Sequence, residues 1–119
     1  MRIEEIMSTP VVITHQGVKV QYLKDLFIRK NISAVPVLEE DGEISGIVSS
    51  SDLVACHDDS LLVKDIMSKR VHIGVKNNQL RDAAKVMVKH GVHHLAVMDD
   101  GKVVGMLSSM DIVKVYSEE

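Results

Sequence analysis

The sequence is poor in the residues that usually anchor a small core. Only 3% of its 119 residues are aromatic, with two Tyr, one Phe and no Trp. A core must therefore be built from Val, Ile, Leu, Met and Ala, and stacking platforms for single-stranded nucleic acid are scarce. Cys56 is the single cysteine, which excludes an internal disulfide and fits a reducing, cytoplasmic setting. No apolar run approaches the roughly 18 residues of a membrane span, and no charged-then-apolar leader opens the chain; neither a span nor a signal peptide is expected. Excess positive charge is also missing. A formal net charge of −3 and a pI near 6.0 argue against a phosphate-backbone binder. There is no Gly-x-x-x-x-Gly-Lys-Ser/Thr string for a phosphate loop and no Gly-x-Ser-x-Gly frame for a nucleophile elbow. What is present, 45% hydrophobic and 26% charged residues, suits about one globular domain's worth of chain. Such a chain buries roughly two-thirds of its unfolded surface.

The chain is written twice. Shifted by 60 residues, Ile6-Met7-Ser8 lands on Ile66-Met67-Ser68, Val11 on Val71, Ile13 on Ile73 and Val37 on Val97. After one extra residue in the first copy's turn the shift becomes 59, and Gly42, Gly46, Ser49-Ser50 and Asp52 land on Gly101, Gly105, Ser108-Ser109 and Asp111. Ordered identities with a single gap at a turn mark a duplicated unit, and two copies are too few for a solenoid. The two repeats are drawn at residues 1–59 and 60–119, together one compact module.

Each copy carries the same grammar. An opening turn, Ile3 to Met7 or Val63 to Met67, leads into a short strand around Val11-Val12-Ile13 or Val71-His72-Ile73. A helix follows, over 18–30 in the first copy with Val20, Leu23 and Phe27 as its apolar stripe. In the second, Leu80, Ala83, Ala84 and Met87 fall at helical spacing. Asn31 and Gly91 stand at the C-caps. Then come a strand at Ala34 to Leu38 or His94 to Met98, a turn at Asp41-Gly42 or Asp100-Gly101, and a second strand at Ile44 to Val48 or Val103 to Leu107. A short helix begins near Ser49 or Ser108. The order is β-α-β-β-α, twice. This predicts an α/β (α+β) fold of two pseudo-symmetric repeats packed through their sheets. Pro36 removes a ladder donor, which suits a sheet edge or a ligand's approach to the backbone.

One segment recurs with chemistry in it: Gly46-Ile47-Val48-Ser49-Ser50-Ser51-Asp52-Leu53 and Gly105-Met106-Leu107-Ser108-Ser109-Met110-Asp111-Ile112. A buried strand ends in a hydroxyl, and a carboxylate follows three residues later at a helix start. One reading is a capping box, with Ser49 as N-cap and Asp52 at N3. The other is a ligand site, since such a carboxylate can accept both hydroxyls of a ribose and a helix start can meet polar ligand edges. The two readings are compatible.

The segments Asp65-Ile66-Met67-Ser68, Ile32-Ser33-Ala34-Val35-Pro36-Val37 and Asp99-Asp100-Gly101-Lys102-Val103-Val104-Gly105, with the paired Ser-x-x-Asp, resemble a tandem pair of cystathionine β-synthase (CBS) domains, a Bateman module. The resemblance covers essentially the whole chain. It implies a non-catalytic regulatory module that binds adenosine-containing ligands in two clefts between the repeats. Carried over by position, the first cleft uses Ser49 and Asp52 with Ile73, Gly74, His93, His94 and Leu95. The second uses Ser108 and Asp111 with Ile13, Thr14, Ser33, Ala34 and Val35. In each the aspartate would hold the ribose hydroxyls. Val92-His93-His94-Leu95-Ala96-Val97 also resembles the His-Arg strand with which γ subunits of AMP-activated kinase contact phosphates, although His94 stands at the Arg and Ala96 at a frequent Pro. The two histidines favour AMP or ATP, with ADP and S-adenosylmethionine left open; no resident cofactor is implied. The family also implies a homodimer through the helices and a regulated partner protein, with no membrane and no nucleic acid as partners. The competing reading is a dimeric interaction module with empty clefts.

Other residues receive structural readings. Arg29, Lys30, Lys69 and Arg70 are read as solvated surface cations, and His15, His57 and His72 as surface or loop residues. The seven Met residues are read mainly as core fill. His90, His93 and His94 lack the regular ligand set of a metal site. Cys56 lacks a positioned base, because the adjacent His57 points away from it on a helix.

Overall fold

The computed structural model describes residues 1–118, and they form a mixed α/β protein with two sheets. The chain folds as two compact units. One is Val12–Val71, containing α1 (Val20–Lys30), β1 (Ala34–Leu38), β2 (Ile44–Ser49), α2 (Ser50–Ala55) and α3 (Val63–Ile66). The other joins Met1–Val11 to the chain from His72 onward, with a short 3-10 turn (Ile3–Glu5), β3 (Ile73–Val75), α4 (Leu80–His90), β4 (His94–Asp99), β5 (Lys102–Ser108) and α5 (Ser109–Ser117). No helix among the described residues is long and apolar enough to cross a membrane.

The helices form where the apolar stripes predict them. On α1 Val20, Leu23 and Phe27 are buried and pack with Val35, Val37, Val48, Leu53 and Val63. On α4 Leu80, Ala83 and Met87 are buried with Ile3, Leu95, Val97 and Leu107. Fully burying one such Val or Leu stabilises by about 1.5–3 kcal/mol. Both helices end in a left-handed residue, Asn31 at φ 51° and Gly91 at φ 64°, the conformation that turns the chain off a helix and that Asn and Gly tolerate best.

Both hairpins are antiparallel, and both bulge at the same place: after Val37↔Gly46 the pairing resumes at Leu38↔Ile44, and after Val97↔Gly105 at Met98↔Val103. Their turns differ. Asp100 and Gly101 both have positive φ, at 50° and 76°, the pattern of a two-residue hairpin turn. The first copy's extra residue gives a longer loop, closed by Gly42 N–H to Glu39 O and Glu39 N–H to Glu43 O at 2.9 and 2.8 Å.

One predicted strand is missing. Around Val11-Val12-Ile13 no strand forms, and the first copy keeps only an isolated parallel bridge, Thr14↔Val37. In the second copy β3 pairs with β4 over Ile73 to Val75. The difference is Pro36. Ala96 N–H donates to His72 O at 3.1 Å, whereas Pro36, at the equivalent place, has no N–H to offer Val12 O. Beside β3, the Asp99 carboxylate lies 2.9 Å from Lys76 Nζ, and its hydrogen bond and charge raise that ammonium's pKa.

The opening segments are exchanged between the repeats. Ser8 pairs with Met106 of the second repeat through hydrogen bonds of 2.8 and 3.3 Å, and Ser68 pairs with Ile47 of the first through two of 2.9 Å. Each segment lies against a glycine: a Cβ on Gly105 would stand 2.8 Å from Met7 Sδ and 3.0 Å from Ser8 O, and one on Gly46 2.7 Å from Met67 Sδ and 2.9 Å from Ser68 O. The duplicated Ile-Met-Ser and the duplicated Gly are therefore the two sides of one contact. Ile3 and Val63 anchor the two segments in the cores at 1% and 0% exposure.

Gly46→Ala and Gly105→Ala are each expected to lower stability by about 1–3 kcal/mol in urea denaturation, since the new methyl meets backbone as well as a flexible thioether. Gly17→Ala, where nothing lies within 4 Å, is the control and should leave the midpoint nearly unmoved. Ala96→Pro removes the bond to His72 O and is expected to cost roughly 1–3 kcal/mol in the same assay.

Candidate ligand-binding site

Both Ser-x-x-Asp segments form complete capping boxes. Ser49 N–H donates to Asp52 Oδ2 at 2.8 Å, Ser49 Oγ reaches the same oxygen at 3.0 Å, and Asp52 N–H lies 3.4 Å from Ser49 Oγ. In the second repeat Ser108 N–H donates to Asp111 Oδ2 at 2.8 Å and Asp111 N–H to Ser108 Oγ at 3.1 Å. The box satisfies helix-end donors that have no partner along the helix. Both aspartates are half-buried. Each cap engages one carboxylate oxygen, and an ionised carboxylate offers about four acceptor positions on two oxygens, so capping and ligand binding do not compete.

Within each unit the hairpin holds the cap beside the mouth of its first strand. In the Val12–Val71 unit Ser49 stands opposite Ala34, and Ser50 N–H donates to Ser33 O at 2.9 Å. In the other unit Ser108 stands opposite His94, and Ser109 N–H donates to His93 O at 2.8 Å. The structure thus brings together Ser49, Asp52, Ser33 and Ala34 in one unit, and Ser108, Asp111, His93 and His94 in the other. Val35 and Leu95 are fully buried at the next positions, so they contribute backbone edges and shape. His93 is exposed and His94 half-buried.

The first-strand positions repeat a telling pattern of exposure. Ile73 is 50% exposed and Ile13 is 36% exposed, while their neighbours Gly74 and Thr14 are buried. β3 is an edge strand, so Ile73 offers an apolar side chain next to a backbone edge that its own sheet leaves unpaired. Thr14 is tied into the Val12–Val71 unit by its N–H to Pro36 O at 3.1 Å and its carbonyl to Leu38 N–H at 2.9 Å. An apolar side chain beside unpaired backbone groups is suited to a flat, hydrogen-bonding heterocycle.

The other singled-out residues fall as follows. His15 and His57 are exposed, as expected, and His15 Nδ1 donates to Leu38 O at 2.9 Å. His72 lies in the loop before β3, half-buried, and stacks on His90 with ring centroids 4.4 Å apart. The sequence hid this because the stack joins a strand entry to a helix end. Arg29, Lys30, Lys69 and Arg70 are exposed. Lys24 bonds Cys56 O and Asp59 at 3.0 and 2.6 Å, filling the place of Ala84 in the second copy. Cys56 is buried with its Sγ 3.4 Å from Asp58 O. Among the described residues no three His, Cys, Asp or Glu are placed to hold a metal ion.

Known proteins share this plan. The CBS domain family matches residues 3–57 and again 63–118. Uncharacterized protein MJ1225 of Methanocaldococcus jannaschii is 22% identical over 121 residues, covering 98% of this chain and 43% of that protein. A homoserine O-acetyltransferase of Methanohalophilus mahii is 32% identical over 111 residues, covering 92% of this chain and 23% of the enzyme. The chain therefore spans less than half the length of these relatives. Among solved structures, the CBS domain pair of protein MJ0100, in complex with 5′-methylthioadenosine and S-adenosyl-L-methionine, superposes with a TM-score of 0.91 at 25% identity, covering 99% of this chain and 97% of that one. Two tandem matches over nearly the whole sequence, on a fold shared with a CBS domain pair, place this chain in the CBS domain family.

Proposed function

We propose that the chain is a non-catalytic sensor of adenosine-containing ligands, with the aspartates of the two capping boxes holding the ribose hydroxyls. The observation that carries this reading is the repetition of one polar arrangement, a half-buried Asp capped by Ser beside the mouth of a hairpin strand, at equivalent places in both units. The ligands of the MJ0100 domain pair, 5′-methylthioadenosine and S-adenosyl-L-methionine, share the adenosine moiety and support the class. The residues proposed to meet ligand are Ser49, Asp52, Ser108 and Asp111, with Ile13, Thr14, Ser33, Ala34, Val35, Ile73, Gly74, His93, His94 and Leu95. His93 and His94 give their site a preference for phosphate, since an imidazole N–H can donate to a phosphate oxygen. AMP and ATP are the favoured ligands on that ground, with ADP in the same class. Binding would shift the population of arrangements felt by a regulated partner protein, by no more than the ligand's differential affinity for them. The chain would act in the cytoplasm, where its lone thiol stays reduced, and pair with itself through its helices.

Asp52→Asn and Asp111→Asn test the ribose role without removing the cap, because the side-chain amide oxygen still accepts the Ser N–H. Isothermal titration with AMP, ATP and S-adenosylmethionine should show each substitution weakening one binding event by roughly tenfold or more, the usual scale for a hydrogen bond to a charged group. Affinity retained at both events would refute the assignment.

His93→Ala and His94→Ala should weaken AMP and ATP while sparing S-adenosylmethionine, read by isothermal titration. No change in the ratio of affinities would remove the phosphate preference. The second reading, an interaction module with no ligand, draws on the exposed apolar side chains of the helices. It would be favoured by the absence of any thermal stabilisation across a panel of adenosine compounds.

A further inference from the structure

The two repeats differ at the start of their first long helix. In the Val12–Val71 unit the run from Cys56 to Leu61 folds back over the start of α1. Val20 N–H donates to Leu61 O at 2.8 Å and Gln21 N–H to Asp59 O at 3.2 Å. Lys24 Nζ donates to Cys56 O and to Asp59 Oδ1, and Ser60 Oγ donates to Asp58 Oδ1 at 2.6 Å. An acidic stretch of chain thus covers this helix start, clasped by one lysine.

In the other unit the same place is an open groove of about 570 Å³ between α4 and α5. Met1 takes the part of Leu61, with Leu80 N–H donating to Met1 O at 2.8 Å. Arg81 N–H, the counterpart of Gln21 N–H, has no acceptor among the described residues. Ala84 stands at the place of Lys24. Leu80, Ala84, Ile112 and Val115, all buried or half-buried, give the groove an apolar lining. Arg81 and Lys85, four residues apart and so on one helix face, are exposed on its lip. Neither has an ion-pair partner among the described residues. Asp82 also borders the groove, which leaves two cationic side chains against one anionic.

We propose that the α4–α5 groove takes an acidic peptide segment of a partner protein, as the first repeat takes its own Asp58-Asp59 run. This rests on the regulated partner within the proposed function and is independent of the ligand. The first repeat supplies the template: a helix start covered by carbonyls and carboxylates, with a cation beside them. The second repeat keeps the open N–H and the apolar lining, and it carries its cations on the lip, at Arg81 and Lys85. A carboxylate-bearing segment meets those cations while an adjoining apolar residue enters the groove.

Fluorescence anisotropy of the full chain at low salt tests this, with a labelled peptide of residues 56–61 carrying Cys56→Ser as the probe. Wild type should bind it saturably, and should bind the same peptide with Asp58→Asn and Asp59→Asn roughly tenfold more weakly. Arg81→Glu and Lys85→Glu should each weaken binding by roughly three- to tenfold, since exposed charge pairs act on this modest scale. Ala84→Lys, which supplies the cation that clasps Asp59 in the first repeat, should tighten it by about twofold or more. No saturation by about 1 mM peptide, or equal affinity for the neutral peptide, overturns the proposal. Binding that falls as the chain self-associates overturns it too and gives the groove to a second copy. Displacement by inorganic phosphate, unmatched by sodium chloride of the same ionic strength, overturns it in favour of a small anion. AMP titration of the same variants keeps the two ideas apart: the sensor reading fails on AMP, this one on the peptide.

Discussion

The contact on which each unit depends is the seating of an Ile-Met-Ser segment against a side-chain-free position on the second hairpin strand. A strand pair alone is marginal in water. Here a third stretch of backbone adds reciprocal hydrogen bonds at Ser8–Met106 and Ser68–Ile47, and a methionine thioether fills the space that Gly105 or Gly46 leaves open. Met suits the place because its flexible, polarizable chain adapts to an irregular gap. Buried Ile3 and Val63 then tie the same segments to the helices that cover each sheet. The motif is thus a closure device for the core, distinct from the polar segment that carries the chemistry.

In the proposed reading, one group of that polar segment serves stability and recognition together. An aspartate at the third helical position satisfies backbone donors through one oxygen and keeps acceptor capacity on the other. Its half-burial limits screening by water, and the cap holds its side chain in place, so little further ordering is needed when a ligand arrives. Fixed acceptors at a helix start, with an apolar side chain standing in solvent on a neighbouring strand, are features of a recognition surface.

Much of this was legible in the sequence because the signals are local. The capping boxes, the left-handed Asn31 and Gly91, the Asp-Gly turns and the stripes on α1 and α4 each rest on residues within a few positions of one another. The losses come from non-local effects. The absent strand near Val12 follows from Pro36, more than twenty residues away, whose missing donor could be assigned only once its parallel neighbour was known. The exchange of opening segments could not be seen, since identical Ile-Met-Ser strings fit either hairpin and the sequence does not say which. The stacking of His72 was hidden for the same reason: its partner His90 lies beyond a whole helix. The duplication did hold one unread clue, the paired glycines at 46 and 105, which match the paired methionines.

In this exchange of opening segments each repeat's notch is filled by the tripeptide of the other. Covalent linkage places both pieces on one polypeptide, so an encounter that would vary with concentration between separate repeats becomes a property of each chain by itself.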